Sequence, residues 1–232
     1  MDNEVSVKPS SVIVVGAGIV GAAIAYHLAR QGAQVTVLEQ DSPGSGVTRH
    51  SFAWINPHGE FPAAARALRA QALADYRRLQ HELPALQIRW SGALTYGAAD
   101  QQAPDTDEPT AEASTRWLDR AGVAQLEPHL QVLPERARYA SGEGSLDPVA
   151  ATRTLLDAAC THGARVFDQT RVLGLRVEGQ RVLGVNTAAG LHRADQVLLA
   201  SGCATPALLA PLGIQLPVQA SPSILILSLI HI

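Results

Sequence analysis

Cysteine is nearly absent from this chain. Cys160 and Cys203 are its only two, far apart and in no C-x-x-C spacing. That pattern indicates neither a disulfide framework nor a zinc site, and a reducing, cytoplasmic setting is expected. Aromatic residues make up 4% and methionine occurs once. Ala and Gly are abundant instead, a bias typical of closely packed helix-on-sheet layers and also of GC-rich coding sequence. Neither sign of charge dominates: 18 basic against 21 acidic side chains leave a formal net charge of −3. That balance supplies no basic footprint for nucleic acid and no polybasic patch for a membrane surface. A long uninterrupted apolar run is missing too. Residues 12–29 come nearest, but they hold Gly16, Gly18, Gly21 and His27 and divide into a strand-like and a helix-like half, so no membrane span is expected. The first eleven residues carry Asp2, Glu4 and Lys8 without the basic-then-apolar order of a secretion signal. Disorder is excluded by 47% hydrophobic and 17% charged content, the range of globular domains.

What is present reads as an α/β protein. Residues 12–15 (VIVV) form a β-branched run suited to a strand buried on both faces of a parallel sheet, and Gly16 ends it. Val20, Ala23, Ile24 and Leu28 then follow helical spacing, with Gly32 where a helix-ending glycine belongs. Residues 34–39 (QVTVLE) predict a second strand, completing the first half of a doubly wound sheet. Pro62 opens a long helix with Leu68, Ala72, Tyr76, Leu79 and Leu83 as its core stripe, stopped by Pro84. Residues 88–96 alternate like a strand with one buried face, 98–112 read as an exposed loop, and 114–121 suggest a short helix closed by Gly122. Asp147 and Pro148 predict a helix start, with Gly163 closing that helix beyond His162. The run 166–187 predicts a β-meander turned at Glu178 and Gly179, and 196–200 (QVLLA) a further buried strand.

The chemistry is legible in one place. Gly16, Gly18 and Gly21 form G-x-G-x-x-G between strand and helix, with Ile19 and Val20 inside it. Gly16 permits the tight turn, Gly18 clears a side chain from where a pyrophosphate approaches, and Gly21 lets helix and strand pack closely. Backbone N–H groups and the positive helix end then face the phosphates. Glu39 ends the second strand, 18 residues after Gly21, where a carboxylate accepts both ribose hydroxyls of an adenosine. This motif does not separate FAD from NAD.

Residues 12–39 (VIVVGAGIVGAAIAYHLARQGAQVTVLE) resemble the flavoprotein oxidoreductases of the D-amino acid oxidase, glycine oxidase and sarcosine oxidase family. Further matches are GSGVTRHSFAWIN from Gly44, GSLDP from Gly144, RVLGLRVEGQRVLGVNTAAG from Arg171 and ADQVLLASG from Ala194. The resemblance implies a Rossmann-like FAD-binding domain, a parallel sheet with a β-meander, over residues 1–85 and 141–218. An inserted, incomplete antiparallel substrate or cap domain is expected over 86–140. It implies FAD as cofactor, its pyrophosphate at Gly16, Gly18 and Gly21, its ribose at Glu39 and its adenine beside Gln40. Thr48, Arg49 and Ser51 fall in the loop facing the flavin side, with His50 beside them; the backbone of Val172 meets adenine, and Gly202 ends the strand approaching the pyrophosphate. The implied reaction is oxidation of a carbon–nitrogen bond of an amino acid or N-alkyl amino acid by hydride transfer to flavin N5. An electron acceptor such as O₂ takes the electrons onward.

Three alternatives stand beside that reading: a flavin dehydrogenase of a hydroxy acid or modified tRNA base, an NAD-linked dehydrogenase, and a nucleotide-binding fragment without activity. Catalytic residues are not identified, because the family places them mostly beyond residue 218. The ending 227–232 (LSLIHI) matches the translation of a sequencing-adapter end, so an N-terminal fragment with a non-native or disordered tail over 219–232 is expected.

Other polar residues are read as structural. His27 is expected half-exposed on the first helix, and Cys203 as a small buried hydrophobe. His58 and Glu60 have no companion ligand at zinc-like spacing, so no metal is expected. For Trp54 two readings stand, packing and lining the active site.

Overall fold

A computed structural model describes residues 10–56, 62–97 and 115–221. The chain opens with β1 (Ser11–Val15), α1 (Ile19–Arg30) and β2 (Gln34–Leu38), then β3 (Trp54–Ile55), α2 (Ala63–Glu82), β4 (Ile88–Arg89) and β5 (Ala93–Thr95). There follow β6 (Thr115–Asp119), α3 (Arg120–Leu126), β7 (Arg136–Ala140), β8 (Gly144–Leu146) and α4 (Pro148–Thr161). The last elements are β9 (Arg165–Phe167), β10 (Val172–Glu178), β11 (Arg181–Thr187), β12 (Gly190–Arg193), β13 (Gln196–Leu199) and α5 (Thr205–Leu209). Two compact units result, one from Met1–Phe52 with Asp147–Ile232 and one from Ala53–Leu146. None of the helices of the described residues is long and apolar enough to cross a membrane.

The first unit is built on a parallel sheet in the order β13-β1-β2-β9. Val12 to Val15 lie between Gln196 to Leu199 on one side and Val35 to Leu38 on the other. Pairing on both edges satisfies the strand's main chain, and its side chains are buried on both faces, which is why it is apolar at consecutive positions. Side-chain alternation then divides the two faces. Ile13, Val15 and Leu38 pack with Val172 and Val185 of the antiparallel β10-β11-β12 meander. Val12, Val14, Val35 and Val37 point the other way and are equally buried.

Helix α1 buries Gly21, Ala22, Ala25, Tyr26 and Ala29, a face of mostly small residues that permits close helix–sheet approach. Val20, expected within the apolar stripe, is exposed instead. The chain leaves α1 through Gly32, whose φ of +87° suits glycine and whose N–H returns to Ala29 O. Helix α4 starts at Pro148, with Asp147 Oδ1 accepting from Val149 N at 2.8 Å and Ala150 N at 2.9 Å. Asp147→Ala is expected to lower stability by about 1–2 kcal/mol, the range for a lost helix N-cap. Urea unfolding of the two proteins measures it, with Asp147→Asn expected to recover most of the loss.

The second unit holds two three-stranded antiparallel sheets, β3-β8-β4 and β5-β7-β6. The alternating run 88–96, expected as one strand, supplies two strands to different sheets. Gly92 breaks it in the left-handed region at φ +77°, where an added Cβ would lie 2.6 Å or less from the Tyr139 ring and hydroxyl. The helix expected over 114–121 is also displaced. Residues Thr115–Asp119 pair with β7, and α3 begins only at Arg120, capped by Asp119 accepting from Gly122 N at 2.8 Å. In α2 the stripe is buried only near its end: Leu79 is buried, whereas Leu68 and Ala72 are exposed.

The units part at other places than residues 85/86 and 140/141. Gln80 of α2 donates to Ile88 O and accepts from Trp90 Nε1 at 2.7 Å, and Arg69 donates to Asn56 O. These bonds fasten the helix to the second unit. At the other border β8 pairs with both β3 and β4 and so stays with them. The expectations for His58, Glu60, the loop at 98–112 and, from residue 222 onward, the tail expected over 219–232 lie outside the described residues.

Candidate cofactor site

In the first unit β1 ends and the chain turns into α1 through Gly16, Ala17 and Gly18. Gly16 has φ +104°, and an added Cβ would sit 2.6 Å from Ala200 O. At Gly21 a Cβ would lie 2.0 Å from Gly16 O. Both positions are closed to any side chain, for reasons internal to the unit. Gly18 differs: its φ of −71° is ordinary, and its Cβ would meet only Thr48 Oγ1, at 3.2 Å. Gly18 is also the N-cap of α1, without a side-chain cap bond, and no acidic residue occupies the first turn. An anion set against Gly18 would therefore meet main-chain donors and the positive end of the helix with no Cβ in its way.

Two side chains close around this turn. Glu39 follows β2, its own N–H donating to Phe167 O. Its Oε2 accepts from Ala17 N at 2.8 Å and its Oε1 from Asp41 N at 2.9 Å. Thr48, 8% exposed in the 3-10 turn Val47–His50, accepts from Ile19 N through Oγ1 at 3.1 Å. Gly44 N donates to Ala17 O and Arg49 N to Gly44 O, so the loop after β2 is tied to the glycine turn.

The structure thus joins Gly16, Gly18, Ile19, Gly21, Glu39 and Thr48 directly. Gln40, Arg49, His50 and Ser51 are exposed beside them, and Val20 is exposed on the first turn of α1. Val172 starts β10 opposite Thr187, its side chain committed to the core. It is connected to Glu39 through the chain just before it, since Thr170 N donates to Glu39 O. Gly202 opens a 3-10 turn after β13 with φ +55°. That turn carries Cys203 into solvent, contrary to the buried position expected for it. Ala17 and Ala200 went unnoticed in the sequence: the first supplies the donor that anchors Glu39, the second the wall behind Gly16. Alanine carries no chemical signal, and both roles are played by main-chain atoms.

The second unit contains one feature that motif reading missed. Glu143, between β7 and β8, is 2% exposed, and its Oε2 accepts from Trp54 Nε1 at 2.8 Å. Burial pushes the Glu143 carboxyl above its ordinary value of 4.5, opposed in part by the Trp54 N–H and the Arg138 charge. A carboxyl raised in the folded state binds its proton more tightly there than when unfolded. Its contribution to stability is therefore fullest below the ordinary value and falls as pH rises through the raised one. Glu143→Gln is expected to lose that decline. Thermal unfolding of both proteins at steps between about pH 4 and 7 checks it, the range in which such carboxyls titrate.

The profile of the family DAO, FAD dependent oxidoreductase, matches residues 11–228. A glycine oxidase of Bacillus licheniformis is 29% identical over 214 residues, covering 89% of this chain and 58% of its own. A D-amino acid dehydrogenase of Cereibacter sphaeroides is 30% identical over 269 residues, covering 89% and 62%. Among solved structures, glycine oxidase from Bacillus cereus superposes with a TM-score of 0.78 at 22% identity, over 87% of this chain and 59% of that one. The chain spans less than two thirds of the length of these relatives.

Proposed function

The chain belongs to the DAO family of FAD dependent oxidoreductases, and from that membership we propose that its first unit holds FAD and that the whole protein oxidises an amino acid or N-alkyl amino acid. The observation that carries the reading is the glycine turn hydrogen-bonded to both Glu39 and Thr48. In this reading the N-terminal end of α1 and Gly18 hold the pyrophosphate, with Gly202 close by. Glu39 receives the adenosine ribose, and Gln40 and the Val172 main chain flank the adenine. Thr48, Arg49 and Ser51 stand on the flavin side, where the exposed Arg49 offers positive charge to the ring, with His50 beside it. The second unit begins the substrate-binding part.

FAD, when bound, supplies the hydride acceptor, flavin N5, for the carbon that bears the amine nitrogen. The chain's share is to hold the dinucleotide in one place and keep its charge neutralised. The imine product is hydrolysed by water, and an acceptor such as O₂ takes the electrons. The setting is cytoplasmic, a reading supported by two unpaired cysteines.

The test uses the full-length parent. It should purify yellow, with a flavin absorption spectrum, and release ammonia or an alkylamine from at least one amino acid or N-methyl amino acid. A colourless protein that binds NADH would overturn the reading. A yellow protein active only on hydroxy acids would keep the cofactor and replace the substrate.

A further inference from the structure

We infer that Gln169 is a cofactor-recognition residue of the first unit, whose side-chain amide reads the edge of the FAD adenine that carries N6 and N7. The inference rests on the FAD-binding reading above. Its physical basis is a backbone cost that the chain itself does not offset. Gln169 has φ +47°, in the left-handed region that glycine enters freely and other residues rarely adopt. Among the described residues ten glycines take a positive φ, and Ala53 is the one other residue that does so with a side chain. Gly163 before β9 and Gly179 after β10 turn the chain in this way, so glycine at 169 would match its neighbours. Gln169 is exposed, and its amide has no hydrogen-bond partner among the described residues. Neither packing nor an internal bond therefore offsets the strain, the pattern found where a backbone is held for a ligand.

The residue stands where the cofactor reading places the adenine. Its N–H donates to Asp41 O at 3.1 Å, next to Gln40. On either side, Thr170 N donates to Glu39 O at 2.7 Å and Phe167 O accepts from Glu39 N at 2.9 Å. Thr170 Oγ1 closes the turn by donating to Asp168 O at 2.8 Å. Residues 167–170 are thus laced to the main chain that bears the ribose carboxylate, and Val172 follows at the start of β10. Gln169 lies on the short bridge between Gln40 and Val172, the two residues that flank the adenine in that reading. All of these positions belong to the first unit.

A planar carboxamide offers an acceptor oxygen and a donor NH₂ side by side. The adenine edge offers the complement, an N6 amine that donates beside an N7 that accepts, and a glutamine amide meets both in one plane. The amide is what glutamine brings to this turn. The ligand class it selects is an adenine dinucleotide over one whose base carries a carbonyl at position 6.

The experiment compares wild type, Gln169→Gly and Gln169→Leu in the full-length parent stripped of cofactor, with FAD and its deaminated analogue, hypoxanthine in place of adenine, as probes. Titration followed by flavin fluorescence should show the FAD dissociation constant raised about tenfold in both variants, the scale of a bidentate base contact. The wild-type preference for FAD over the deaminated analogue should shrink by about the same factor. Without cofactor, Gln169→Gly should melt about 2 °C higher because the strain is relieved, whereas Gln169→Leu keeps both the strain and the wild-type melting temperature. A merely structural residue would not lose affinity while gaining stability. Variants that keep the FAD dissociation constant and the preference would overturn the assignment, as would a Gln169→Gly that melts no higher than wild type. A wild type that binds no FAD overturns the cofactor reading, and this assignment with it.

Discussion

Gly21→Ala is expected to unfold the first unit, while Gly18→Ala leaves its apo form standing and sharply weakens its affinity for FAD. At Gly21 the new Cβ would be 2.0 Å from Gly16 O and 3.0 Å from Gly16 C. Both are main-chain atoms of a turn whose N–H is already bonded to Leu38 O, so neither can step aside without breaking the sheet. Overpacking costs about 1–3 kcal/mol and more in the worst cases, and a main-chain clash of this depth belongs with the worst, a large share of the about 5–15 kcal/mol that holds a domain together. At Gly18 the Cβ would meet only a side-chain hydroxyl at 3.2 Å and the backbone is ordinary. Apo stability should change by no more than about 1 kcal/mol, because Gly18, unlike Asp147, makes no side-chain cap bond for the substitution to remove. FAD affinity should fall at least about 30-fold, equivalent to about 2 kcal/mol, because the methyl occupies the approach to the main-chain donors. Urea unfolding without cofactor and FAD titration followed by flavin fluorescence separate the two effects. Equal stabilities for the two variants would contradict the geometry.

Glu39→Ala is expected to weaken both FAD binding and the apo protein. The position reads as a ligand for ribose, with little part in packing. The structure gives the carboxylate two main-chain donors, Ala17 N at 2.8 Å and Asp41 N at 2.9 Å, and Ala17 is fully buried. Removing the acceptor leaves that N–H unsatisfied, at about 1–3 kcal/mol, and frees the glycine turn from the strand that precedes its ligand. Glu39→Gln keeps one oxygen but turns an NH₂ group toward a second N–H, so a smaller loss of the same sign is expected. FAD affinity should drop by about 1–3 kcal/mol in either variant, the scale of a charge-assisted bond. Unfolding midpoints of the apo proteins and their FAD dissociation constants are the measurements. An apo midpoint unchanged in Glu39→Ala would show that the carboxylate serves the cofactor alone.

Local chemistry was enough to determine the first unit's opening: the β-branched run at 12–15, glycines at 16, 18, 21 and 32, and a carboxylate at 39 admit few arrangements other than strand, turn, helix and strand. The same holds for the Asp147–Pro148 helix start and for the meander's turn at Gly179, each a short-range signal, but not for the meander's bounds: Arg165–Phe167, overlapping the run expected for it, pairs with β2 in the parallel sheet, and the meander runs from Val172 to Arg193. Three things were decided only by tertiary contact. Alternation over 88–96 is the same pattern whether it feeds one sheet or two, and Gly92 against Tyr139 made it two. The stripe on α2 is the same whichever unit receives it, and the Gln80 bonds to Ile88 and Trp90 assigned it to the second. Long-range partners leave no periodic trace at all. Ser11 meets Asp195 across 184 residues, Glu39 reaches back to Ala17, and Glu143 takes the Trp54 indole across 89. A sequence records which groups are available to bond, but the chain's path in space selects the partner, because desolvation makes a buried polar group take whatever donor or acceptor the fold brings within reach.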